Sequence, residues 1–213
     1  MNPILRFLFF LIIVRPIVLI AIGLNIRHRE RLPSKGPALI VANHNSHLDT
    51  LVLMSLFPLT LLPKVRPVGA ADYFFRGGWI SWFSSSIIGI IPIERGRSDR
   101  SADPLEGIHR AIEEGNIVIF FPEGSRGDPE KLAPFKGGVA HLSRQHPDVP
   151  IIPIFLHGLG KALPKGEGIF VPFFCDVFVG EPAQWTGDKK SLIDALSERM
   201  DGLAKEGQLP AWE

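Results

Sequence analysis

The chain has 213 residues, a formal net charge of +1, 46% hydrophobic residues and one cysteine, Cys175. That length suits a single domain with a sizeable core. The small charge, with no basic stripe interleaved with aromatics, speaks against nucleic acid as a partner. The lone cysteine excludes an internal disulfide and any multi-cysteine metal site, and it suits a reducing compartment.

Residues 3–26 are almost wholly apolar, broken only by Arg6, Arg15 and Asn25. As one helix they would rise about 36 Å, enough to span a bilayer. Arg15 at the centre would cost roughly 2.5–3.5 kcal/mol there, and Pro16 would kink the helix or end its first half. Two short helices dipping into one leaflet avoid much of that cost, with Arg15 at head-group level. Arg27, His28, Arg29 and Arg31 follow at once, and basic residues beside an apolar segment favour the anionic cytoplasmic face. The sequence therefore predicts a monotopic membrane anchor over residues 1–34, in preference to a true span or a cleaved leader. It places the chain on the cytoplasmic face of the inner or plasma membrane, with the remaining domain over 35–213.

Beyond the anchor, strand-like runs occupy 38–42, 65–70, 87–93, 117–121, 151–156 and 169–179. Helical spacing links Leu105, Ile108, Ala111 and Ile112, with Gly115 as C-cap. A further helix is expected over 139–144. Leu192, Leu196, Met200 and Leu203 fall on one face of a last amphipathic helix. Alternating helices and strands indicate an α/β domain.

Polar clusters sit where these strands end, which is where α/β folds place their chemistry. After the first strand comes Asn43-His44-Asn45-Ser46-His47-Leu48-Asp49. A histidine with a carboxylate five residues on supplies a general base and a partner that fixes its tautomer. The next cluster is Ile93-Glu94-Arg95. The third is Phe121-Pro122-Glu123-Gly124-Ser125-Arg126-Gly127, followed by Phe135-Lys136-Gly137-Gly138. Guanidinium forks and a glycine turn are the donors that a phosphate needs, with Lys136 as a further cation. Ser125 is no nucleophile of the elbow type, because Glu123 stands where the first glycine of G-x-S-x-G belongs. His47, His109, His141, His146 and His157 have no comparable partner pattern and read as structural.

Four motifs in order resemble those of the glycerolipid acyltransferase family typified by 1-acylglycerol-3-phosphate O-acyltransferase. They are N-H-x-x-x-x-D at 43–49, G-x-x-x-I-x-R at 89–95, F-P-E-G-[ST]-R at 121–126, and a proline-bearing apolar run at 149–153. The resemblance implies a mixed central sheet flanked by helices, with no metal and no cofactor. The donor it implies is acyl-CoA or acyl carrier protein, and the acceptor a lysophospholipid at a membrane surface. His44 and Asp49 are catalytic by that resemblance, and Arg95, Glu123, Gly124 and Arg126 bind the acceptor head group, beside Ser125 and Lys136. Glu94 replaces the usual aspartate, so a lyso-lipid other than lysophosphatidate is the alternative acceptor. A non-catalytic lipid-binding protein is the competing class. With a base and no covalent nucleophile, direct transfer is the expected mechanism, and backbone N–H groups near Asn43 or Gly124 are the expected oxyanion donors. The apolar stretches 51–62 and 79–91 are candidates for an acyl-chain groove.

Overall fold

A computed structural model describes residues 2–21, 23–46, 48–94, 103–125, 127, 132–162 and 174–207. Its centre is a mixed seven-stranded sheet. The strands are β1 (Leu24–Arg27), β2 (Ala38–Ala42), β3 (Val65–Ala70), β4 (Ile91–Ile93), β5 (Ile117–Phe120), β6 (Ile151–His157) and β7 (Cys175–Val179), in the order β1-β7-β6-β2-β5-β3-β4. All neighbours run parallel except β6 and β7. The expected mixed sheet flanked by helices is present.

Strand β2 is central and buried at every residue, as parallel strands covered on both faces must be. The period of two sends Ala38, Ile40 and Ala42 to one core and Leu39 and Val41 to the other. On the first face lie the N-terminal helix and α2 (Leu48–Ser55). On the second lie α5 (Glu106–Glu113), α6 (Gly138–Gln145) and α8 (Lys189–Glu206). The short helices α3 (Ala71–Phe74) and α4 (Gly78–Phe83) follow β3, and α7 (Leu159–Ala162) follows β6. The final helix buries Leu192, Leu196, Met200 and Leu203, as its spacing requires, and Asp188 caps it by accepting from the Ser191 N–H at 2.8 Å.

The N-terminal helix starts as α1 (Pro3–Phe9) and continues through the wider turns Phe10–Val14 and Ile17–Ala21. Its buried stripe is Arg6, Phe10, Val14 and Val18, a repeat of four. In an ordinary α-helix such a stripe would rotate by about 40° per step. Wider turns keep it straight against the domain. The two arginines that broke the apolar run tether the helix: Arg6 donates to the Val65 carbonyl at 2.6 Å and Arg15 to the Phe57 carbonyl at 3.1 Å. Arg15 thus has a protein partner where the sequence suggested lipid head groups. The outward face remains apolar, with Ile4, Ile12, Leu19 and Ile20 more than half exposed.

Other elements also depart from expectation. Residues 24–26, taken as the end of the apolar segment, form edge strand β1 together with Arg27 beside β7, with Asn25 donating to Asp176 across the pair at 2.7 Å. Only 91–93 of the stretch 87–93 is strand, because Ser84–Ile88 is helical and Gly89 turns the chain at a φ of +72°. The basic cluster is engaged by the protein as well. Arg29 donates to the Leu56 carbonyl, Arg31 pairs with Glu181 at 2.7 Å, and Arg27 lies over the Phe178 ring.

Candidate active site

The end of β2 is pinned from the side. Asn43 donates from Nδ2 to the Leu156 carbonyl at 2.8 Å and accepts the Leu156 N–H at 2.7 Å. This amide prolongs the β2–β6 ladder by one rung through a side chain, and it fixes the direction in which the chain leaves the sheet. Nothing in the local sequence marked that role, since its partner lies 113 residues away.

The next residues wrap around the carboxylate of Asp49, which is wholly buried in the first turn of α2. Its Oδ2 faces the Asn45 N–H at 2.6 Å, the Ser46 N–H at 2.8 Å and Nδ1 of His44 at 2.9 Å. Three donors on one oxygen at a helix start suit a negative charge. With Nδ1 carrying its hydrogen toward Asp49, His44 presents an unprotonated Nε2. The imidazole stacks on Phe121, with centroids 4.1 Å apart and planes 21° from parallel.

The third motif locks onto the first. The His44 N–H points to Glu123 Oε1 at 3.4 Å, and the Gly127 N–H donates to the His44 carbonyl at 3.0 Å. Glu123 is 3% exposed. Its burial pushes the carboxyl up to about 7; the His44 N–H pulls it down, and the charge of Asp49 raises it further. Gly124 has a φ of +74°, and a Cβ built there would stand 2.7 Å from Nζ of Lys136. The glycine therefore leaves room for the lysine to fold across the turn.

His44, Gly124 and Lys136 line a groove of about 690 Å³ whose remaining wall is largely apolar, including Leu51, Phe74, Phe83 and Ile90. Of the stretches expected to build it, 51–62 contributes Leu51 while Val52, Leu53, Met54 and Phe57 are core, and 79–91 contributes Phe83, Ile88 and Ile90. Trp79 and Trp82 are exposed instead. Ser125 is exposed and is absent from the groove lining. Arg95 and Arg126 lie outside the described residues. The N–H groups of His44, Asn45, Ser46 and Gly124 are spent on Glu123, Asp49, Asp49 and the Phe121 carbonyl. These four N–H groups therefore already have acceptors within the protein.

Known proteins resemble this chain in sequence and in fold. Residues 23–157 match the family model described as Acyltransferase. A chloroplastic 1-acyl-sn-glycerol-3-phosphate acyltransferase of Arabidopsis thaliana is 34% identical over 185 residues, covering 84% of this chain and 49% of that protein. The human 1-acyl-sn-glycerol-3-phosphate acyltransferase beta is 32% identical over 183 residues, covering 83% of this chain and 63% of that protein. The chain thus spans about half to two thirds of the length of such relatives. In fold it is similar to the crystal structure of the 1-acyl-sn-glycerophosphate acyltransferase PlsC from Thermotoga maritima. That match has a TM-score of 0.76 at 19% identity and covers 99% of this chain and 81% of the other.

Proposed function

The chain belongs to the Acyltransferase family, and on that footing we propose that it is a membrane-associated O-acyltransferase. It moves a fatty acyl group from acyl-CoA or acyl carrier protein to a hydroxyl of a lysophospholipid, 1-acylglycerol-3-phosphate giving phosphatidate. The observation that carries this reading is the His44–Asp49 pair, at 2.9 Å, with His44 in the wall of an apolar groove and Asp49 buried behind it. Binding alone needs no such base.

In the proposed reaction, Nε2 of His44 takes the proton of the acceptor hydroxyl as its oxygen attacks the thioester carbonyl. Asp49 stabilises the imidazolium that forms. The tetrahedral intermediate expels the thiolate, which takes the proton back from His44 and leaves as a thiol, and the acyl chain is now an ester of the acceptor. Lys136, beside the Gly124 turn, faces the acceptor phosphate, with Glu123, Ser125, Arg95 and Arg126 assigned to the same head group. Relatives named for 1-acyl-sn-glycerol-3-phosphate support that acceptor.

The membrane assignment rests on the outer face of Pro3–Ile20, a stretch apolar and long enough to cross a bilayer. One of its faces is docked on the domain, so we assign it to the interface, lying along one leaflet on the cytoplasmic face of the inner or plasma membrane. Phe9 packs edge-on against Phe83, with centroids 5.2 Å apart, and Phe83 lines the groove. A lipid chain thus has a short path from the bilayer to His44. Ile12→Glu with Leu19→Glu, both on the exposed face, should shift the protein from the membrane to the soluble fraction on flotation, and an unchanged distribution would refute the anchor.

The activity is tested by thiol release from an acyl thioester with and without lysophosphatidate. Release that depends on the acceptor, with phosphatidate as product, is expected. Free fatty acid released without acceptor would make the protein a hydrolase, and no turnover with any lyso-lipid would make it a lipid-binding protein.

A further inference from the structure

Three histidines that read as structural in the sequence come together with an aspartate on the opposite layer of the fold from His44. Asp103 precedes α5, His109 lies on α5, His141 on α6, and His146 just after α6. One ligating atom from each of Asp103, His109 and His141 falls within 4.8 Å of the other two. Asp103 Oδ2 is 3.5 Å from Nε2 of His109 and 3.8 Å from Nε2 of His141. These distances are long for hydrogen bonds. Ligands about 2.0–2.2 Å from a tetrahedral zinc ion stand about 3.3 Å apart. These two separations need to close by only a few tenths of an ångström around such an ion.

The surroundings of His109 and Asp103 prepare both for ligation. His109 is 6% exposed, and its buried Nε2 has no hydrogen-bond partner, an arrangement that costs free energy unless something fills it. Nδ1 of the same ring lies 2.8 Å from Nε2 of His146. That contact needs one hydrogen, and with the hydrogen on His109 Nδ1, Nε2 carries a lone pair toward Asp103 and His141. A second group bonded to the far nitrogen of a ligating histidine is the usual means of fixing ring and tautomer. Asp103 uses Oδ1 to accept the Leu105 N–H at 2.9 Å, which leaves Oδ2 for the ion. The rings of His109 and His141 meet edge to face at 5.8 Å, and Nε2 of His141 lies 3.1 Å from Nε2 of Gln145, a contact that a bound ion would replace.

We propose that Asp103, His109 and His141 form a zinc site, with His146 as the positioning residue behind His109 and water in the fourth position. Two imidazoles and one carboxylate select zinc over magnesium or calcium, which prefer all-oxygen shells. The site is remote from the chemistry but not from the groove. Asp103 is followed by Pro104 and Leu105, and α6 begins at Gly138, all of which line the groove. A bound ion would clasp these two parts of the wall together.

The test uses the full chain, freed of metal by chelation and titrated with Co²⁺ as an optical stand-in and with Zn²⁺ in thermal melts. One Co²⁺ per chain with the intense visible bands of four-coordinate cobalt is expected, displaced by Zn²⁺ and not by Mg²⁺. His141→Ala and Asp103→Asn, both at partly exposed positions, should each weaken binding at least tenfold and abolish the zinc-dependent rise in Tm. His146→Ala should weaken it about 10–100-fold. His44→Ala should bind as wild type. Bands that survive in His141→Ala, that vanish in His44→Ala, or that never form at micromolar cobalt would overturn the site. None of these readouts depends on acyl transfer.

Discussion

Asp49 and Glu123 are both buried carboxylates in contact with His44, yet their surroundings are opposite. Asp49 gathers two backbone N–H groups and the imidazole on a single oxygen, at the start of a helix. Glu123 has one long N–H contact, at 3.4 Å, and Asp49 as a negative neighbour, and it is pushed up to about 7. Depth alone does not decide what a carboxylate does; the donors aimed at it do. One corner of the site is built to hold charge next to the imidazole, and the other to hold a carboxyl that is readily neutral.

The largest expected effect comes from removing the residue that both carboxylates touch. His44→Ala should lower acceptor-dependent thiol release by about 10²–10⁴-fold, with an unchanged circular dichroism spectrum. Near wild-type turnover in a folded variant would remove the base from the mechanism.

Glu123→Gln sharpens the contrast through pH. The folded-state carboxyl is raised from 4.5 to about 7, so between these values the native protein holds a proton that the unfolded chain has lost. Its contribution to stability is therefore complete below pH 4.5 and falls away as pH rises through 7, by roughly 3 kcal/mol at most. Urea unfolding of the wild type should show this decline relative to Glu123→Gln, which has no such titration. Parallel pH curves for the two proteins would contradict the assignment.

Asn43→Ala leaves the buried N–H and carbonyl of Leu156 without their side-chain partner and should cost about 1–3 kcal/mol in denaturant unfolding. It should also lower kcat, because β2 no longer delivers His44 at a fixed angle. Full stability would show that the amide rung is dispensable. The smallest effect is expected at the head-group end. Lys136→Ala should raise the acceptor KM several-fold with a lesser change in donor KM, as loss of an exposed cation does, and steady-state kinetics would show an opposite bias if Lys136 served the donor.

Much of the dyad was legible because it is local. A buried strand, a loop and a helix start put His44 and Asp49 five residues apart, and that spacing alone brings them into contact. The α5 and α8 faces were legible for the same reason, since helical spacing states which side is buried. Features made by distant residues were not. The Asn43 rung needs Leu156, the β1 edge needs β7, and the His109 cluster joins two helices whose separate sequences show only isolated histidines. The break at Gly89 defeated a strand reading of 87–93, because an apolar run does not show where a glycine turns. Arg6 and Arg15 looked like interruptions of a membrane segment until Val65 and Phe57 supplied carbonyls for them.

In the proposed mechanism His44 acts as a base because Asp49, and not Glu123, supports its positive charge. Side-by-side kcat measurements of Asp49→Asn and Glu123→Gln at pH 7, under saturating thioester and lyso-lipid, test it most directly. A loss of about 10²–10⁴-fold for Asp49→Asn, with less than tenfold for Glu123→Gln, is the predicted result. Equal losses, or an active Asp49→Asn, would contradict it.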